Sequence, residues 1–149
     1  MRVVLQRVTR GEVHVAGELV GAIDYGLVAL VGIAQGDGPA EVDRLAQKTA
    51  QLRIFRDDQQ RMNRSALDLG YGVLVISQFT LYADMKRGRR PGFTRAGRPE
   101  LAEPLVERYA MKLREAGIGQ VACGVFGADM QVVIHNDGPV TLILDSAEM

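Results

Sequence analysis

Two short segments hold the residue types that could do chemistry. Ser77-Gln78-Phe79-Thr80 closes a strongly apolar run, so two hydroxyls and a carboxamide stand at a strand end, where sites are often built. Further on, His135-Asn136-Asp137-Gly138-Pro139-Val140-Thr141 puts a Gly-Pro turn between two apolar strands. Each segment alone reads equally well as a hairpin. A hydroxyl attacks only with a base beside it, and the pattern supplies no obvious one. The chain has no G-x-S-x-G elbow, no G-x-x-x-x-G-K-[ST] loop and no H-E-x-x-H. His14 and His135 both fall in strand-like stretches, where an imidazole more often packs or faces solvent than catalyses. His, Cys and carboxylates do not cluster at metal-ligand spacing, so chemistry without a metal or cofactor is expected.

Charge points elsewhere. Eighteen Lys and Arg balance eighteen Asp and Glu, which at first argues against a nucleic-acid grip. The average hides a division: Arg44 to Arg98 holds twelve basic residues against four acidic, and the two ends are acidic. Lys86 to Arg98 carries six basic residues (Lys86, Arg87, Arg89, Arg90, Arg95, Arg98) and no acid, spaced by glycine and proline, with Phe93 among them. Such a loop can follow a phosphate backbone and offer a stacking face, or it can simply be a solvated loop.

The elements that must position these residues follow from periodicity. Arg2 to Thr9 and Glu12 to Ile23 alternate apolar with polar, broken at Gly17 and Gly21, as short antiparallel strands do. Gly26 to Ala34 and Gly72 to Leu81 are dense branched runs that read as core strands. Asp37-Gly38-Pro39 opens a helix whose stripe is Val42, Leu45, Ala46, Thr49 and Leu52. A second helix is expected from Pro99 to Ala116, with Leu105, Tyr109 and Leu113 on one stripe. Val121 to Phe126, Met130 to His135 and Val140 to Leu144 read as three more strands. The expectation is a strand-rich, mixed α/β fold: a curved, barrel-like sheet with two main helices, in one domain of 149 residues. A lone Cys123 suits a reducing compartment, and neither a signal peptide nor a membrane span is visible, so a soluble cytoplasmic protein is expected.

Both signatures, in this order, resemble those of the D-aminoacyl-tRNA deacylases: Ser77-Gln78-Phe79-Thr80-Leu81 and Asn136-Asp137-Gly138-Pro139-Val140-Thr141. Leu5-Gln6-Arg7-Val8, Arg53-Ile54-Phe55, Met62-Asn63, Arg87-Gly88-Arg89-Arg90-Pro91 and Phe126-Gly127-Ala128-Asp129-Met130 extend the similarity along the chain.

The resemblance implies hydrolysis of the ester between a D-amino acid, or glycine, and the terminal ribose of tRNA. Ser77, Gln78, Phe79 and Thr80 would line the reacting carbonyl. Either the Thr80 hydroxyl attacks, or backbone N–H groups near Phe79 hold the oxyanion while water attacks with help from the ribose 2′-OH. Gly138-Pro139 would be the chirality element, a cis peptide inserted into the partner's site in a homodimer. Arg7 would buttress it, and Phe126 and Met130 would wall the pocket. The basic loop, with Lys86, Arg87, Arg89 and Arg90, would meet the tRNA acceptor end, while neither a membrane nor DNA is expected as a partner. The alternatives are a non-catalytic RNA-binding protein that uses the 86–98 loop and an esterase acting on a small molecule.

Overall fold

The computed structural model describes residues 1–86 and 88–149. β1 (Arg2–Val15) is the strand around which the sheet is built. β8 (Met130–Asp145) runs antiparallel along one of its edges, from Arg2 opposite Asp145 to Val15 opposite Met130. The other edge is shared: β3 (Gly26–Gly32) pairs with Arg2 to Val8, and β2 (Glu18–Ile23) pairs with Gly11 to Val15. Gly11 stands where the partners change, and a Cβ there would press on Val28 Cγ2 at 2.7 Å, so only glycine fits.

From β3 the sheet continues in parallel through β6 (Gly72–Ser77) to β7 (Val121–Cys123). β2 curls round toward β7, with Gln120 Nε2 donating to the Ala22 carbonyl at 3.2 Å. A Cβ on Gly21 would lie 2.8 Å from the Cys123 carbonyl oxygen. The sheet is therefore mixed and nearly closed into a barrel.

Curling gives the central strands two apolar faces. Val28, Leu74 and Ile76 point into the barrel with Val8, Val13 and Ile23. Leu27, Ala29, Val31, Val73 and Val75 face outward against the helices. This is why these strands read as unbroken apolar runs rather than as alternation. α1 (Pro39–Gln51) buries Val42, Leu45, Ala46, Thr49 and Ala50, and α3 (Pro99–Glu115) buries Ala102, Leu105, Tyr109, Ala110 and Leu113. Both begin on proline, whose missing N–H costs nothing there. The helices are joined by the Arg108 guanidinium, which donates to both oxygens of Asp43 at 2.7 Å, and by a buried Thr49–Tyr109 hydroxyl pair at 2.7 Å.

Several boundaries differ from the sequence expectation. The first segments are one long strand and its hairpin partner, not several short strands. The run expected to be strand to Leu81 stops at Ser77, and Phe79–Tyr82 forms a 3-10 turn. The run expected from Val121 to Phe126 ends at Cys123. Met130 to Leu144 is not two strands around a turn: β8 is continuous and bulges in its middle. The chain between the helices also holds a small hairpin, β4 (Phe55–Arg56) with β5 (Met62–Arg64), and one turn of helix, α2 (Ala66–Leu69), which periodicity did not reveal.

The parallel β3–β6 pairing needs its strands in close contact at their start. A Cβ on Gly26 would overlap the Gly72 carbonyl oxygen. Gly26→Ala should therefore destabilise the fold by about 3 kcal/mol, the upper range of overpacking costs, as read from the urea midpoint at unchanged m-value.

Candidate active site

At the end of β6 the Gln78 N–H donates to the Val31 carbonyl at 2.7 Å, after which the chain turns into the Phe79–Tyr82 helical turn. Gly32 makes room for this, since a Cβ there would lie 3.0 Å from the Gln78 oxygen and 3.1 Å from Leu81 Cβ. The amides of Phe79 and Thr80 open the turn and have no carbonyl within it to bond. Beside them lies a mainly apolar cavity of about 410 Å³. Ser77, Gln78 and Phe79, Ala102 and Val106 of α3, and Phe126 and Gly127 line it. Phe93 meets Phe79 edge-on, with ring centres 4.9 Å apart.

The expected residues do not all meet. Ser77, Gln78, Phe79 and Phe126 share the cavity. Met130 lines a smaller adjoining hollow with Ser77, Gln78 and Phe79. Thr80 is exposed, does not line either cavity, and accepts a hydrogen bond from Gln78 Nε2 at 2.5 Å. Neither histidine faces the cavity: His14 lies 3.2 Å from Glu12 on β1, and His135 is exposed on β8. Burial pushes the Tyr82 phenol up to about 12, reinforced by Asp37 and Asp145, so it stays protonated near neutrality. Among the described residues the polar side chains lining the cavity are Ser77, Gln78 and Arg98, with no histidine or carboxylate in its wall.

Gly138-Pro139 occupies a different place. Opposite Arg7 the β1–β8 ladder jumps from Gln6–Thr141 to Val8–Asn136, so residues 137–140 leave the sheet as a bulge. Asn136 Nδ2 closes its neck, donating to the Arg7 carbonyl at 2.9 Å and the Val140 carbonyl at 3.0 Å. Gly138 has φ +116°, a conformation that suits glycine, and the Gly138-Pro139 peptide is cis. Beneath the bulge lies Arg7, only 2% exposed. Its Nη1 donates to the Ile54 carbonyl at 2.6 Å, and its Nε lies 2.8 Å from Asp137 Oδ2 as an ion pair without hydrogen-bond alignment.

Gly138 and Pro139 themselves are exposed and absent from the cavity wall. On β3, Leu27 pairs with Arg7, and Val31, which lines the cavity, pairs with Val3. That is four residues, or about 13 Å, along the strand.

The basic loop divides at Gly92. Asp84 and Gly92 exchange two backbone hydrogen bonds, at 2.7 and 2.9 Å, which set off an exposed tip carrying Lys86, Arg89 and Arg90. Arg87 lies outside the described residues. Beyond Gly92 the loop is anchored: the Arg95 carbonyl accepts from the Gln35 N–H at 3.0 Å, and the Arg95 guanidinium stands 5.8 Å from the Tyr82 ring centre. Phe93, Ala96, Gly97 and Arg98 complete the cavity wall. Sequence reasoning had Phe93 only as a stacking face, and it missed Ala102 and Val106. Their spacing of four on α3 was a legible signal, but it is also what any core stripe looks like.

Comparison with known proteins places this geometry. The family model for D-Tyr-tRNA(Tyr) deacylase matches residues 4–145. A D-aminoacyl-tRNA deacylase of Chloroflexus aurantiacus is 57% identical over all of this chain and 92% of its own length. The one from Brevibacillus brevis is 56% identical over 98% of this chain and its whole length. Among solved structures, a c-Myc DNA unwinding element binding protein superposes with a TM-score of 0.91 at 39% identity, covering 97% of this chain and 98% of its own. A probable eukaryotic D-amino acid tRNA deacylase superposes at 0.81 with 16% identity, covering 96% and 97%, and shares the fold. The Chloroflexus and Brevibacillus relatives are hydrolases acting on ester bonds, and the match over the whole chain places this chain in the same class. The chain belongs to the D-Tyr-tRNA(Tyr) deacylase family.

Because neither imidazole faces the cavity, a His14→Ala/His135→Ala double variant should keep kcat/KM on an aminoacyl ester within about twofold of the parent, where loss of a true general base costs at least about a hundredfold.

Proposed function

We propose that this chain removes D-amino acids, and glycine, from tRNA in the cytoplasm, acting as a homodimer in which each subunit's Gly138-Pro139 bulge enters the other's cavity. The observation that carries this is the separation of the two elements. The bulge is stapled at its neck, braced on a buried guanidinium and presented to solvent far along the sheet from its own cavity. A filter donated in trans makes two reciprocal sites by symmetry. Main-chain carbonyls aimed at the substrate α-carbon leave space for hydrogen where an L side chain would project, so selection works by exclusion. Glycine has no side chain to exclude. A side chain at Gly138 itself is barred, because its Cβ would stand 2.9 Å from Arg7 Nη2.

Hydrolysis adds water across the acyl carbon, breaks its bond to the ribose oxygen and releases the free amino acid and the tRNA hydroxyl. The ester is already activated, so positioning and oxyanion stabilisation are enough. The Phe79 and Thr80 amides at the open end of their turn are suited to the developing oxyanion, with the neighbouring ribose 2′-OH assisting the attacking water. Thr80 is poorly placed to be the nucleophile. Its oxygen accepts a bond from Gln78, and a carboxamide cannot take its proton.

Incubation with matched D- and L-aminoacyl-tRNA tests the reading: the D-ester should turn over and the L-ester persist. Turnover of both, or binding without turnover, would overthrow it in favour of a general esterase or a non-catalytic RNA-binding protein. In the same assay Thr80→Ala should keep most of kcat, and a fall of several orders of magnitude would return the attack to the hydroxyl.

A further inference from the structure

The bulge does not travel alone. The Arg7 guanidinium that underlies Gly138 also holds the Ile54 carbonyl at 2.6 Å, and Ile54 is the root of the β4–β5 hairpin. Bulge and hairpin therefore form one ledge joined through a single buried side chain. The hairpin is strongly basic on its outside: Arg53, Arg56, Arg61 and Arg64 are all exposed. Among the described residues none of the four has a carboxylate within ion-pair distance. The acid nearest the turn is used internally, since Asp57 accepts from the Gln59 N–H at 2.8 Å, the Arg61 N–H at 3.0 Å and Asn63 Nδ2 at 3.1 Å. Asp58 is the hairpin's other acid, and Asp68 of α2, whose carboxylate accepts from the Ser65 N–H at 2.8 Å, lines a shallow hollow with Arg53 and Arg64. Arg53 is held across the hairpin by its Nε bond to the Asn63 carbonyl at 2.7 Å.

Resting on the dimeric reading above, we infer that this hairpin grips the phosphate backbone of the acceptor arm of the tRNA whose 3′ end lies in the partner's cavity. The hairpin shares the bulge's end of the sheet, about 13 Å along the strand from its own cavity. Insertion of the bulge carries it to the rim of the partner's cavity instead. Four exposed guanidiniums with no carboxylate among the described residues in ion-pair contact, gathered on one short hairpin, match a phosphate backbone in sign and in donor geometry. Each tRNA would thus lie between two subunits, with the 84–92 tip of one and the β4–β5 hairpin of the other on its backbone.

The test is deacylation of D-aminoacyl-tRNA by dimers of controlled composition. Arg56→Glu/Arg61→Glu in both subunits should raise KM about tenfold and flatten the salt dependence, as expected for losing phosphate contacts. kcat should hold, and so should the rate on a D-aminoacyl-adenosine, which has no phosphate. Mixed dimers then assign the side. One subunit's cavity is filled by Ala102→Trp, or by Ser77→Trp if the first does not assemble. With the hairpin reversal on that blocked subunit, the remaining live cavity should show the raised KM; with it on the live subunit, KM should be normal. The opposite pattern, or an unchanged KM in the fully reversed dimer, overturns the inference while leaving the deacylase reading intact. Failure of the unmodified protein to act on D-aminoacyl-tRNA would remove that reading first.

Discussion

Arg7 is the side chain on which the functional layout depends. A guanidinium that is 2% exposed is costly to bury unless its charge and donors are met, and here they are met in part, Nε having no hydrogen-bond partner. One donor goes to Ile54 at the root of the basic hairpin, the charge faces Asp137, and the flat of the group lies under Gly138. Its backbone carbonyl is tied to Asn136 at the neck of the same bulge. Removing it would leave Asp137 unpaired and the bulge without a floor.

The rest of the fold serves to hold two such places a fixed distance apart. β1 carries Arg7 and, four residues earlier, Val3, whose partner Val31 lines the cavity. β3 and β6, packed on both faces, form the rigid core of the sheet between them. The cavity itself is mainly apolar, with Ser77 and Gln78 in its wall.

Composition and period made the architecture legible. The apolar runs at 26–34 and 72–76 had to be interior strands because both faces are covered, and the two proline-opened helices follow their stripes closely. The Gly138-Pro139 bulge was misread as a strand break because a glycine and a proline look alike in a turn and in a bulge; only the partner strand distinguishes them. The β4–β5 hairpin was invisible for a different reason: its four exposed arginines carry no apolar period. Ser77 to Phe79 line the cavity because the apolar run ends there, although its period alone carried the strand on to Leu81. Thr80's exclusion from the cavity was not legible, since a helical turn of four residues has no period of its own. Nor did the zero net charge show where charge gathers, since four exposed arginines sit on the β4–β5 hairpin while acids elsewhere cancel them in the sum.

The central claim is that the bulge braced by Arg7 works in a neighbour's cavity, and it is met most directly by a crystal structure with a non-hydrolysable D-aminoacyl-adenosine bound. The account predicts the partner's Gly138-Pro139 main chain in contact with the ligand's α-carbon, and the ligand carbonyl oxygen within hydrogen-bond distance of the Phe79 or Thr80 amide. A ligand enclosed by one chain alone, with Gly138-Pro139 facing solvent, would contradict it.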